Sequence, residues 1–453
     1  MHDHVMKRGL NLPLAGGATG EPVELPPPAT VAYSPEEMTG IFPKLTARVG
    51  DEVKRGQVLF FNKYAPEVKF LSPVTGKVKE IRRGARRVIT DFIIERSESE
   101  EAVSFKRWSM GDLEGISRDL AQAGLAEGGM WPLLRTRPLD QIATYGETPQ
   151  AILVHATETG PLMPGADVLI GQDEGEALQA GLYVLRALTD GATYLTVPKG
   201  TTHKALTGLK GVEVHGFAGA HPTGDPAVQV NLLQPPKGAG KVWYISAWDA
   251  VLVGRLFLEG MFPNERVYAA VGGGLKAPRY VRTLVGAPIA HILGELHEGP
   301  QRVIRGSVLT GDAIDGGRWA SLYRRAISVI PDTASQELFG WTTPQFNKYS
   351  ASRTSFVGLL GAGRVLFNMT TAMFGGHRAM LPNPIYSKVI LTPEIQPEFL
   401  FRSIFAGDLE DAITLGMLDL SMEEAALMTF VCPTKNEYGV ALTEAIAQYI
   451  KES

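Results

Sequence analysis

The sequence predicts a multidomain α/β chain: a small β barrel or sandwich, a doubly wound α/β domain, a second β-rich unit and a helical end. Three observations predict it. At 453 residues the chain is about three or four domains long, at roughly 100–200 residues each. Between Leu45 and Glu95 short apolar runs are punctuated by glycine and aspartate, whereas from about residue 104 strand-length apolar runs alternate with helical periodicity. From about residue 394 the pattern is helical.

Bulk properties exclude several function classes. With 44 basic and 48 acidic side chains, net −4, no global field recommends nucleic acid or an anionic membrane as the main partner. A single cysteine, Cys432, rules out a disulfide framework and any iron–sulfur or zinc site built on several local thiolates. The nine histidines show no metal-triad spacing, so no metal site is expected. His2 and His4 read as a disordered end, and no apolar core of signal-peptide length follows them. The most apolar stretch, Phe356 to Met373, is broken by glycines, Arg364 and Asn368. It reads as buried protein rather than a membrane span, which makes the chain soluble.

The elements follow in order. Pro26-Pro27-Pro28 marks a boundary after an N-terminal arm, and Ser34-Pro35-Glu36-Glu37 carries the chemistry of a short helical turn. Val49 to Val53, Arg55 to Phe60, Ser72 to Val78 and Ile89 to Ile94 supply strands and turns of a barrel or sandwich. The polar run Glu95 to Glu101 leads out of it. Ala151 to Val154, Thr193 to Val197 and Gly211 to His215 are strand candidates. Asp173 is the expected N-cap of a helix presenting Leu178, Leu182, Leu185 and Leu188 on one face. Strands alternating with helices imply a parallel, Rossmann-like doubly wound sheet. Further strands are expected at Val267 to Val271, Arg279 to Val285 and Arg302 to Leu309. Ser421 with Glu424 forms a capping box, and Leu442, Ile446, Tyr449 and Ile450 make a final amphipathic stripe.

Val-Gly-Asp-x-Val at Val49, Gly-Gln-x-Leu at Gly56 and Ser-Pro-Val-x-Gly-x-Val at Ser72 resemble the biotinyl/lipoyl-like barrel-sandwich hybrid of carrier domains. The hairpin Lys63-Tyr64-Ala65-Pro66-Glu67 lacks the carrier setting, so Lys63 and Lys69 are expected to carry no biotin or lipoate. Six further segments, in order and nearly end to end, resemble the A subunit of the bacterial sodium-translocating NADH:quinone reductase: Lys7 to Pro13, Arg135 to Pro138, Gly306 to Gly311, Leu338 to Trp341, Leu366 to Thr371 and Phe430 to Gly439. The resemblance implies kinship with the FMN subunit of complex I and the C subunit of Rnf. It further implies a ubiquitin-like β-grasp domain at about 256–335.

In those relatives a glycine-rich loop binds the flavin phosphate. The matching place here is Ala126-Glu127-Gly128-Gly129-Met130-Trp131-Pro132. Glu127 sets negative charge where phosphate belongs, and Met130 and Trp131 add bulk. The second flavin motif of the relatives appears as His155 to Pro161, where Glu158 survives and Gly160 replaces the other glutamate. The flavin loop at Glu127, Gly128, Gly129 and Glu158 is therefore expected to be degenerate, and the chain to bind no redox cofactor. The complex implied by the resemblance uses NADH, flavins, iron centres and ubiquinone.

The family reduces quinone, and two segments have the apolar and aromatic surface with hydrogen-bond donors that a quinone requires. One holds Tyr33, Met38 and Phe42, and the other Trp131, Arg135, Arg137 and Leu139. Packing between domains explains the same residues. Gly272-Gly273-Gly274 and Gly361-Ala362-Gly363 complete no nucleotide-binding motif and read as turns. The basic run Lys77, Lys79, Arg82, Arg83, Arg86 and Arg87 is a solvated hairpin or a docking face for acidic loops or lipid headgroups. Cys432 reads as a buried structural thiol.

The expected organisation is an arm and barrel at 1–103, an α/β domain at 104–255, the β-grasp unit at 256–335 and a C-terminal connecting and helical domain at 336–453. The expected function is that of a non-catalytic peripheral subunit on the cytoplasmic side of the inner membrane, supporting quinone reduction coupled to sodium export. Its partners are the other subunits, chiefly membrane ones, and quinone. The rivals are an autonomous flavin-dependent NADH dehydrogenase and a stand-alone quinone or small-ligand binding module.

Overall fold

The computed structural model describes residues 2–38, 40–234, 240–315, 317–333, 349, 351, 365–372 and 379–452. The segments Leu338 to Trp341 and Gly361 to Gly363 lie outside the described residues, as does most of Phe356 to Met373.

The arm contributes β1 (His2–Val5) and β2 (Val23–Glu24). The barrel follows with β3 (Thr30–Tyr33), β4 (Pro43–Leu45), β5 (Glu52–Val53), β6 (Val58–Asn62), β7 (Ala65–Leu71), β8 (Gly76–Arg83) and β9 (Ile89–Arg96). These form two antiparallel sheets, ordered β3-β9-β8-β5 and β4-β6-β7. Alternation along the strands points Val31, Phe60, Phe70 and Phe92 inward. Phe60 stacks on Phe70 with ring centres 4.7 Å apart, and Tyr33 stands edge-on to Phe60 at 6.2 Å. The tip between β6 and β7 is Lys63-Tyr64, with the Asn62 side chain accepting from the Phe42 amide at 3.2 Å.

The α/β unit comprises α1 (Met110–Glu114), α2 (Arg118–Glu127), β10 (Arg135–Arg137), β11 (Ala151–His155), α3 (Ala166–Leu169), α4 (Gly175–Arg186), β12 (Thr193–Pro198), β13 (Glu213–Ala218), α5 (Pro226–Leu233), β14 (Val242–Ser246) and α6 (Ala247–Glu259). Its sheet runs β1-β13-β12-β11-β14-β10, parallel except at β10. The first and last strands of the central four, β11 and β14, are neighbours, so the winding reverses between them. His2 and His4 are not a disordered end. They lie in β1, paired with β13, and His4 Nε2 lies 3.0 Å from His215 Nδ1. Helix α4 is capped at Glu174 without a side-chain bond rather than at Asp173, and buries Leu178, Leu182 and Leu185 with the following Leu188.

The third unit holds β15 (Glu265–Val271), β16 (Arg279–Leu284), α7 (Ile289–Leu293), β17 (Gln301–Arg305), β18 (Asp312–Ile314) and β19 (Ala326–Pro331). Its sheet is ordered β18-β17-β19-β15-β16-β2, with β15 parallel to β19. Strand β17 ends at Arg305 rather than running to Leu309. Gly306 takes φ +109°, and Ser307 Oγ then accepts the amides of Leu309 and Thr310 as a turn. Gly272 also serves a turn, donating its amide to the Gly16 carbonyl at 2.8 Å.

The C-terminal region is helical: α8 (Tyr386–Val389), α9 (Pro397–Ala406), α10 (Leu409–Thr414), α11 (Met422–Val431) and α12 (Tyr438–Glu452). The Ser421/Glu424 capping box is present. Glu424 also accepts the amides of Leu391 and Thr392, at 2.7 and 2.8 Å. Tyr386, Phe401, Cys432, Tyr438 and Leu442 share the buried centre. Among the described residues no helix is long and apolar enough to cross a membrane.

One contact sets the geometry of the α/β unit. Helices α4 and α6 touch backbone to backbone: a Cβ on Gly254 would stand 1.7 Å from the Ala177 carbonyl oxygen, and one on Gly181 2.1 Å from that of Ala250. Gly254→Ala is therefore expected to destabilise the protein by about 1–3 kcal/mol through overpacking. Gly317→Ala, where an added Cβ meets nothing within 4 Å, should stay within about 0.5 kcal/mol of wild type. Urea midpoints of the two variants check the contrast.

Candidate functional site

The place of the flavin-phosphate loop lies at the C-terminal end of α2, which Ser117 caps at its start by accepting the Leu120 amide. A helix C-terminus carries partial negative charge, so this end repels a phosphate that an N-terminus would hold. Glu127 is exposed there. The two glycines admit the protein's own side chains. A Cβ on Gly128 would fall 2.1 Å from Leu256 Cδ2, and one on Gly129, at φ +66°, 2.6 Å from Leu71 Cγ. Leu71 comes from β7 of the barrel and Leu256 from α6. Trp131 is buried behind them, donating from Nε1 to the Ala143 carbonyl at 2.7 Å and lying edge-on to Trp243 at 5.7 Å. Leu71 and Leu256 thus occupy the space over both glycines.

The second motif leaves the C-terminal end of β11, beside the point where the winding reverses. Glu158 turns back on its own loop, its Oε1 accepting from the Thr159 and Gly160 amides at 2.7 and 2.6 Å. Around it the fold gathers groups that sequence reasoning missed. Thr159 Oγ1 lies 3.3 Å from His221 Nδ1, and His221 Nε2 lies 3.2 Å from Glu423 Oε2 on α11. Glu423 Oε1 accepts from the Thr310 hydroxyl at 2.5 Å. Asp225 caps α5, accepting the Ala227 amide at 2.7 Å. Burial works to lower the His221 pKa, but the hydrogen bond and charge of Glu423, helped by Glu158 and Asp225, raise it above 6.5. Burial and then the charges of Glu423 and Glu424 push Asp225 up to about 7. Glu158 is raised by burial, against its amide bonds. The signal was hard to find because His221 and Glu423 stand 202 positions apart.

The quinone candidates divide between core and surface. Tyr33, Met38 and Trp131 belong to one continuous core, whereas Phe42 is 56% exposed and stands edge-on to Tyr64 at 5.1 Å. Ser34 to Glu37 dock on the third unit. Arg318 pairs with Glu36, and Glu37 accepts the Leu322 amide at 3.1 Å and faces Arg305 at 3.5 Å. Arg135 lies over the Tyr323 ring at 4.9 Å and pairs with Asp140 at 3.2 Å, while Tyr323 donates to the Pro132 carbonyl at 3.1 Å. Arg137 is bound elsewhere: its Nη2 donates to the carbonyls of Leu418 and Asp419 at 2.9 and 3.0 Å. Leu139 is half-buried. Core and domain junction thus bring the two segments together, with Phe42 outside and Arg137 turned to the C-terminal helices.

Among the described residues no cluster of His, Cys, Asp and Glu has a metal-binding arrangement. Cys432 is buried, within 3.2 Å of both the Tyr386 and the Thr434 hydroxyl; burial raises its pKa, but these and neighbouring hydrogen bonds lower it to about 7. The basic run lies exposed on β8 and the turn after it, with Lys79 paired to Glu95 at 3.0 Å and Arg82 to Glu80 at 3.2 Å.

Three family profiles match: the NqrA N-terminal barrel-sandwich hybrid domain over residues 4–97, the NqrA second alpha/beta domain over 116–262 and the NQRA C-terminal domain over 267–316. The Na(+)-translocating NADH-quinone reductase A subunit of Vibrio campbellii is 40% identical, with 99% of each chain covered. The chain belongs to the NqrA family. Its namesake from Klebsiella pneumoniae is 39% identical over 98% of this chain and 99% of its own. A solved NAD+-reducing [NiFe]-hydrogenase covers 78% of this chain and 67% of its own at 12% identity and a TM-score of 0.33, too loose a likeness to carry an argument.

In this NqrA chain the His221 cluster joins the α/β unit to α11, so its protonation is linked to that joint. Both His221 and Asp225 have raised pKa values. Their contribution is full at low pH, and that of Asp225 fades between 3.8 and about 7. That of His221 fades as the pH rises above 6.5. Stability is thus expected to fall from about pH 4 up through pH 7 as Asp225 ionises, and further above pH 6.5 as His221 loses its proton, by on the order of 3 kcal/mol in all. Glu423→Gln, which removes the main group raising His221 and a further charge raising Asp225 and Glu158, should make the profile shallower; unfolding midpoints across that range measure it.

Proposed function

We propose that this chain is a peripheral subunit of a sodium-translocating NADH:quinone reductase, on the cytoplasmic face of the membrane and without a redox group of its own. Hydride capture, electron transfer and the sodium path belong to its partners. The observation that carries this reading is the filled loop at Gly128 and Gly129, where Leu256 and Leu71 take the space that a flavin phosphate needs. The solitary Cys432 supports it, since a cluster requires several thiolates. We read the α/β unit as Rossmann-like, its strand order 3-2-1-4 favouring that assignment. The third unit reads as a ubiquitin-like β-grasp, in keeping with its β15–β16 hairpin, α7 and central parallel pair β15–β19.

The protein also shapes quinone access. The convergence of residues 33–42 and 131–139 on one core supports this, together with the exposed Phe42 ring and the buried, unbonded Nε of Arg135. A guanidinium there donates to a quinone carbonyl and stabilises charge developing on reduction. Tyr33, Met38, Trp131 and Arg137 hold the frame. The purified chain is expected to be colourless, with no flavin absorbance after incubation with FMN and desalting; a stoichiometric flavin would instead favour the autonomous dehydrogenase. In the assembled complex Phe42→Ala and Arg135→Gln should each raise the quinone KM about three- to tenfold, equivalent to roughly 0.6–1.4 kcal/mol. NADH oxidation by an artificial acceptor should stay unchanged. Wild-type quinone kinetics in both variants would place the slot in one of the partners.

A further inference from the structure

Four arginines, Arg255, Arg266, Arg282 and Arg325, line a cleft between α6 and the β15–β16 hairpin together with Glu174 and Glu265, with Trp248 and Val251 on the helix side. Three of them have a carboxylate. Arg255 pairs with Glu174, Arg282 with Glu24 at 2.8 Å, and Arg325 with Asp249. Arg266 has none among the described residues. Its Nη1 donates to the Pro263 and Glu265 carbonyls, at 3.1 and 2.9 Å, while its Nε and Nη2 are buried without a partner. Nη1 of Arg325 is buried and unbonded as well. The two residues are only 4% and 3% exposed.

Two of the nearby acids, Glu174 and Asp249, are committed. Asp249 gives one oxygen to Arg325 and the other to the Ser246 hydroxyl at 2.6 Å. Glu265 is exposed, and it is its backbone carbonyl that Arg266 holds. A buried cation is costly unless it is both paired and hydrogen-bonded. Burial, with the Arg325 charge beside it, already lowers Arg266 to about 10. The missing partner must be negative and must offer at least two acceptor oxygens to a guanidinium fork, which is the geometry of a phosphate-type oxyanion.

We propose that this cleft is a binding site for a phosphate group, held by Nε and Nη2 of Arg266 and Nη1 of Arg325. The group is either free inorganic phosphate or the end of a phosphate ester whose apolar part lies along Trp248 and Val251.

Calorimetric titration of the purified full chain with inorganic phosphate, at constant ionic strength, tests it. Saturable binding of one phosphate per chain is expected. Arg266→Gln should weaken it at least tenfold, as should the double variant Arg325→Gln/Asp249→Asn, which removes a guanidinium together with its carboxylate. Arg402→Gln on α9, far from the cleft in sequence and exposed, should leave it unchanged. Tighter binding of phenyl phosphate than of phosphate assigns the site to an ester, and equal or weaker binding to the free anion. Absence of saturable binding overturns the proposal, as does undiminished binding in both variants when they unfold as cooperatively as wild type. A sulfate-soaked crystal of the wild type decides independently of any variant: sulfate on Arg266 Nε and Nη2 supports the site, and water alone there overturns it.

Discussion

The insertion of Leu71 against Gly129 is the contact on which the rest of the arrangement depends. It brings a barrel strand onto the α/β unit. With Leu256 against Gly128 it fuses two domains into one apolar core that extends from Val31 in the barrel to Leu284 and Val285 at the end of β16. A side chain at residue 129 would meet Leu71 and also strain a backbone held at φ +66°. Both close approaches depend on the absence of a side chain at residues 128 and 129. Burial of Trp131 behind them adds a large, fully desolvated ring whose N–H is satisfied by Ala143, so the joint is apolar without orphaning the indole.

Around that core, charge pairs add to the hold on the third unit. Arg318 reaches Glu36 and Asp91, Arg305 faces Glu37, and Arg325 pairs with Asp249 at the start of α6. Each contact joins the third unit to the barrel or to the α/β unit. Breaking a buried pair leaves one charge stranded and costs more than the pair contributes, so these contacts fix orientation more than they add stability. The C-terminal helices are attached by polar contacts of a milder kind, the Arg137 Nη2 bonds to the Leu418 and Asp419 carbonyls and the His221–Glu423 bond. The protein thus has a rigid apolar joint, an ionic one and one that titrates.

Periodicity made the elements legible wherever one face is buried. The stripe at Leu178, Leu182 and Leu185 and the run Ala151 to Val154 are plain in the sequence, because a helix or central strand must repeat its apolar residues at its own period. Element ends were less legible. Val308 and Leu309 suggest a continuation of β17, yet the strand ends at Arg305 and the Ser307 hydroxyl captures two amides in a turn. Strand β1 was invisible because its partner, β13, lies 211 positions away at the His4–His215 contact. The same limit applies to the site. The charge of Glu127 and the bulk of Trp131 are local features of the sequence, whereas the assembly of Glu158, His221, Asp225 and Glu423 exists only through tertiary structure. Arg137 carried the right chemistry for a donor, but nothing local announced that three successive carbonyls after α10 would claim it.

The arm has a consequence for how the chain is assembled on the ribosome. Strand β1 completes the edge of the α/β sheet and β2 the edge of the third sheet, yet both are synthesised before the barrel that separates them from those sheets. The barrel, whose strands are all local, can close as soon as it emerges. The arm must wait for β13 and then for β16, threading across units already formed. Its docking is therefore a late event that reports completion of two domains at once, and until then the edges of both sheets stay open to pairing with other chains.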